Sequence, residues 1–132
     1  MSNLHHCYLS ASLGIALIFI GVSTAFSGVV INEVHYHPES PYGRQLEFIE
    51  LFNDSPEEVA LSGWQLARGV HFTFRLGTTL GAGEYLVVAG DRRGLAEFYN
   101  LDTSKVVGDA DGLLANDGEP CLLYTSAAAD ER

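Results

Sequence analysis

The sequence predicts an all-β domain, a sandwich or a barrel, and three observations carry that prediction. Short runs rich in Val, Ile, Leu, Phe and Tyr recur along the chain, with turn signals about every 8–12 residues. Only one stretch, Arg92 to Tyr99, has the pattern of a helix. The chain has 132 residues, enough for one domain of ordinary size. Composition narrows the function classes. Seventeen acidic and seven basic side chains give a net charge of −10, which argues against a nucleic-acid partner, since a phosphate backbone needs clustered Lys and Arg. Apolar residues at 47% and charged residues at 18% exclude a disordered chain. Two cysteines cannot build a disulfide framework or a four-thiolate zinc site. No catalytic motif stands out.

Residues 1–27 form the first segment. No Asp, Glu, Lys or Arg precedes Glu33. Leu13 to Val22 is a compact apolar run, and the small residues Ser23-Thr24-Ala25-Phe26-Ser27-Gly28 follow it. This is the layout of a secretory signal peptide, with cleavage before Gly28 or before Phe26. Its n-region departs from the usual pattern: it has no Lys or Arg, only His5 and His6. The alternative is an uncleaved N-terminal membrane anchor over the 21 charge-free residues Ala11 to Ile31, close to a bilayer-spanning length. An anchor would consume the β-branched Val29-Val30-Ile31 that opens the first strand, so cleavage is expected. The mature protein is then secreted or at the cell surface and leaves the membrane. Cys7 lies before the apolar run, which is not the place of a lipid-attachment cysteine.

The elements follow in order. Val29 to Tyr36 is a first strand, ended by Pro38 and by Pro41-Tyr42-Gly43. Leu46 to Phe52 is a second. Glu47, Ile49 and Leu51 share one of its faces, and Leu46, Phe48, Glu50 and Phe52 the other. Both faces carry apolar residues, which predicts a strand inside the sandwich rather than on its rim. Asn53-Asp54-Ser55-Pro56 is a turn. Val59-Ala60-Leu61 leads into Ser62-Gly63, and Trp64-Gln65-Leu66 starts another strand. His71 to Arg75 alternates, with Phe72 and Phe74 on one face. Leu76 to Gly83 is a glycine-rich turn region. Glu84 to Ala89 is a strong strand. Asp91 caps the helix Arg92 to Tyr99. Val106-Val107 and Leu113-Leu114 are short strands, and Asn116-Asp117-Gly118-Glu119 is a hairpin turn signal.

In this order the motifs resemble the lamin tail domain, in the form found in secreted bacterial proteins. The matching pieces are Val30-Ile31-Asn32-Glu33-Val34, then Glu47-Phe48-Ile49-Glu50-Leu51-Phe52-Asn53, then Leu61-Ser62-Gly63-Trp64-Gln65-Leu66. After them come Phe72-Thr73-Phe74, Thr79 to Val88, and Leu114 to Glu119. The resemblance covers about residues 28–119 and implies an immunoglobulin-like β-sandwich. It implies an interaction module without catalysis, often part of a larger surface or secreted protein. Such proteins can also carry kinase-like domains, nucleases or adhesive repeats.

The family pattern continues past the Asn-Asp-Gly-Glu hairpin to a return strand, a second turn and a closing strand, whereas this sequence stops at Arg132. Residues 28–120 are therefore expected to form an incomplete sandwich. A missing strand with about three buried apolar side chains removes ~5–9 kcal/mol, comparable to a domain's whole stability. Residues 121–132 are expected not to be biological. Cys121-Leu122-Leu123-Tyr124-Thr125-Ser126 resembles the translation of a transposon-end sequencing adapter, and the residues after it resemble read-through. The competing reading makes Leu122 to Thr125 the return strand, which their β propensity suits. An independent long read across codons 119–132 decides between the two.

Several residues have chemistry to weigh. Glu33, His35 and His37 stand at i, i+2 and i+4, a spacing that could bring zinc ligands to one strand face. Glu33 belongs to the family's first-strand pattern and Pro38 ends the strand beside His37, so no metal is expected. Asp109, Asp111 and Asp117 could offer oxygen ligands to calcium, but their spacing is not that of the twelve-residue loop. Turn formation alone explains Asp and Gly there. Trp64 could be a carbohydrate platform, but a core position is the expectation. Tyr36, Tyr42 and His37 could form an exposed aromatic patch. Ser55 and Ser62 have no assembled His and Asp partners. His71 is a strand residue, and Arg92-Arg93 is too small a basic spot for nucleic acid. No catalytic, metal or cofactor residue is expected.

Three functions fit these residues. One is a secreted, non-catalytic interaction or adhesion module at the start of a multidomain protein. Another is the accessory domain of an exported kinase-like enzyme or hydrolase. The third is a calcium-stabilised carbohydrate-binding domain. The first is the expectation, with a protein or cell-surface partner. The loops Pro38 to Gly43 and Gly94 to Gly112 would carry the contacts, and the acidic surface would favour cationic or calcium-bridged partners. No coiled-coil heptads or basic import segment accompany the domain, so nuclear function does not come with the resemblance.

Overall fold

A computed structural model describes residues 28–38, 43–112, 114, 118 and 120–125. The leader, Tyr42 and the Asn116-Asp117 turn lie outside the described residues. In chain order the elements are β1 (Val29–His35), β2 (Phe48–Asn53), β3 (Val59–Ala60), β4 (Gln65–Ala67), β5 (Val70–Thr73) and β6 (Thr79–Leu80). They continue with β7 (Tyr85–Ala89), α1 (Arg92–Tyr99), β8 (Val106–Val107), β9 (Asp111–Gly112) and β10 (Leu122–Tyr124). One sheet runs β1-β2-β7-β8 and the other β10-β4-β5-β9, with a small β3-β6 ladder beside them. This is an immunoglobulin-like all-β fold with one short helix.

The period of two along each strand builds the core. Ile49 and Leu51 of β2 alternate with half-buried neighbours, and their partners across the ladders, Val88 and Leu86, are buried with them. From the second sheet come Leu66 and Val70, followed by Phe74 just beyond β5. Leu61 and Leu80 close the core from the side of the small ladder. Burying side chains of this size contributes about 1.5–3 kcal/mol each.

The opposite face of the first sheet carries a second, smaller cluster. Leu46, Ala89, Leu95, Ala96 and Val106 are buried together, with Phe48 and Val87 against them. Here α1 packs on the sheet. The helix connects β7 to β8, which pair in parallel, and a parallel pair requires such a crossover. Asp91 caps α1, accepting from the Gly94 N–H at 2.9 Å, and Asn100 ends it in the left-handed conformation.

Four details differ from the sequence expectations. β2 is interior in its sheet, but its Phe48, Glu50 and Phe52 face is only half-buried, because α1 covers one end of the sheet and not all of it. The Leu76 to Gly83 turn region contains β6, which finds a partner in β3. Leu114 is buried but lies outside any strand; the chain pairs earlier, through Asp111 and Gly112 against His71 and Val70. The span Gly94 to Gly112 is not a contact loop: most of α1, a 3-10 turn over Thr103–Lys105, β8 and β9 fill it.

Candidate interaction surface

The open face of the first sheet is built by β1, β2 and β7. Val30, Phe52 and Tyr85 form one cross-strand row. Phe52 and Tyr85 stack with ring centroids 4.6 Å apart, and Val30 and Tyr85 are 45% and 47% exposed. At the other end His35 stacks on Phe48 at 4.9 Å. Phe48 meets Tyr99 edge-on at 6.5 Å, and Tyr99 meets Phe98 at 4.9 Å. Between the aromatic rows lies a polar one. A bulge in β1 shifts the register between Ile31 and Glu33, so Asn32 and Glu33 both stand opposite Glu50. Asn32 Nδ2 donates to Glu50 Oε1 at 2.7 Å. Together these side chains give the face two aromatic rows with a carboxylate row between them.

A cavity of about 200 Å³ is lined by Glu47, Asp91, Ile49, Val70, Val88 and Leu114, among others. Both carboxylates are engaged by main-chain donors. Glu47 accepts from the Leu114 N–H at 3.3 Å, and Asp91 caps α1.

The residues weighed in the sequence are dispersed. Glu33 and His35 share a face, but His37 has a φ of 53° and leaves the strand. Among the described residues no three His, Cys, Asp or Glu side chains form a metal-holding group. Asp109 accepts from the Arg92 N–H at 2.9 Å. Asp111 lies in β9 opposite His71. Gly112 has a φ of +105°, and a Cβ there would stand 2.4 Å from the Gly69 carbonyl oxygen, so close backbone approach explains this glycine. Trp64 is half-buried against the main core. Tyr36 is 54% exposed. Ser62 Oγ accepts from the Gly77 N–H, and Ser55 is buried and bonded to Asn53. His71 is exposed on β5.

Arg92 is not part of a basic spot. Its Nε donates to the Val106 carbonyl at 2.7 Å and its Nη2 to the Thr103 carbonyl at 2.8 Å, tying the crossover to the helix. Arg93 pairs with Glu97 at 2.8 Å, and that carboxylate raises the Arg93 pKa through its hydrogen bond and charge.

Asn53 is more than the turn residue that the sequence suggests. It is fully buried. Its Nδ2 lies 2.8 Å from the Glu57 and Leu80 carbonyl oxygens and 3.1 Å from that of Gly81. Its Oδ1 accepts from the Ser55 N–H and hydroxyl. The signal was available: Asn53 continues the inward series of Ile49 and Leu51, and a buried amide needs partners.

The described residues form an immunoglobulin-like sandwich with a half-exposed aromatic face. The Lamin Tail Domain family profile matches residues 22–130, and the chain belongs to that family. Its members are immunoglobulin-like, generally non-catalytic domains that often serve as interaction modules. The match includes β10. A comparison with curated proteins returns no match.

Proposed function

We propose that this protein is a non-catalytic extracellular interaction module, the N-terminal part of a larger secreted or cell-surface protein. One observation carries the reading. The first sheet presents Val30 and Tyr85 to solvent in one row with the half-buried Phe52 between them, while its other face is committed to the core. Exposed aromatics on a rigid sheet supply contact area at low entropic cost. The charge-free leader supports export, and the net charge of −10 favours a cationic partner.

The test is site-specific cross-linking in the native host. A photo-reactive phenylalanine analogue replaces Tyr85, and the cells are fractionated after irradiation. A discrete protein adduct in the extracellular or surface fraction is expected. Recovery of the protein only from the cytosol, or irradiation without any adduct, overturns the reading.

A further inference from the structure

Among the described residues, no strand pairs with the outer edge of β1. In the order β1-β2-β7-β8 only one side of β1 is paired. On either side of the bulge between Ile31 and Glu33, alternate N–H and C=O groups on the other edge point away from the sheet and meet no further strand among the described residues. Such an edge is a template for an extended chain.

The side chains beside it select what can add. Glu33 and Glu50 are direct cross-strand partners, an arrangement in which like charges repel. Among the described residues neither is in an ion pair; the pairs there are Arg93–Glu97 and Lys105–Glu84. Asn32 gives Glu50 a hydrogen bond but no charge. A second copy adding edge to edge would bring its own Glu33 and Glu50 to the same face, so self-pairing raises the repulsion. An extended segment with Lys or Arg at alternate positions lowers it. Its intervening residues would fall beside the inward-facing side of β1, where Val34 is 37% exposed.

We propose that the free edge of β1 binds a cationic extended peptide by strand addition, with alternate Lys or Arg side chains over Glu33 and Glu50. This site rests on the interaction-module reading and names its partner class.

The experiment uses the full chain and fluorescein-labelled octapeptides followed by anisotropy. Saturable binding is expected for alternating Lys and Val, and none for alternating Glu and Val. Glu33→Lys with Glu50→Lys is expected to weaken the Lys peptide at least about tenfold, while Glu57→Lys with Glu58→Lys changes it less than about twofold. A Lys–Val peptide N-methylated at every residue is expected not to bind, because neither of its edges can then donate to the ladder. This arm does not depend on any variant folding. Equal losses from both charge reversals, or undiminished binding of the N-methylated peptide, overturn the proposal. If the Lys–Val peptide does not bind while Tyr85 cross-linking still captures a surface partner, the edge proposal falls and the interaction reading stands.

Discussion

Asn53 shows how one polar side chain can hold together parts of the chain that apolar packing leaves loose. Its amide joins the turn after β2 to the carbonyls of Leu80 and Gly81. Asn53→Ala leaves these groups without partners and is expected to cost about 2–4 kcal/mol in denaturant unfolding. Asn53→Asp is expected to cost more, because it sets a buried negative charge against three carbonyl oxygens. A smaller loss for Asp than for Ala would contradict this account. Glu84 works at the surface. The Lys105 ammonium, 2.8 Å away, lowers its pKa first by hydrogen bonding and then by charge. Asp102 is lowered mainly by the Ser104 backbone N–H. Stability from a lowered carboxylate is complete above the unfolded-state pKa and is lost as pH falls through the folded value. Lys105→Met is therefore expected to give a shallower loss of stability below about pH 5 in melts across a pH series.

At the scale of elements, α1 was legible to the residue, because an Asp91 cap is a local signal. Asp91→Ala is expected to cost about 0.5–2 kcal/mol and to reduce helical signal in circular dichroism. β2 and β7 were readable to within two residues, from runs rich in aliphatic and aromatic side chains. β6 and β9 were not: each has two residues, too few to show a period, and each exists because a partner strand lies opposite. The parallel pairing of β8 was hidden for the same reason. Gly112 was read as a turn glycine, but its role is set by Gly69, which is remote in sequence. Gly112→Ala is expected to lower stability by about 1–3 kcal/mol through positive-φ strain and overlap with that carbonyl.

For the whole molecule, the sandwich and its family were carried by motif order, whereas the exposed aromatic face was not. The bulge that aims Asn32 and Glu33 at one residue leaves no mark in the period of β1, and the stacked rings arise from cross-strand register. The calcium alternative also becomes concrete at this scale. Asp109 already caps the Arg92 N–H and Asp111 is strand-paired, so the two do not share a loop free to wrap an ion. The melting temperature is expected to be unchanged when calcium is added to chelator-treated protein, and a rise of several degrees would restore a calcium site.

The β7–α1–β8 crossover has a consequence for how the molecule opens. An eight-residue helix is too short to persist alone, and its buried contacts are to the second cluster, separate from the main core. Amide protons of Leu95 to Tyr99 should therefore exchange with solvent deuterium sooner than those of Ile49 to Leu51. The two sets would then belong to different cooperative units. Each transient release of α1 would uncover Phe48 and Val87, momentarily extending the exposed aromatic face across the breadth of the sheet. The protein would thus have a larger sticky surface for a small fraction of the time, and substitutions that weaken the cap at Asp91 would lengthen that fraction.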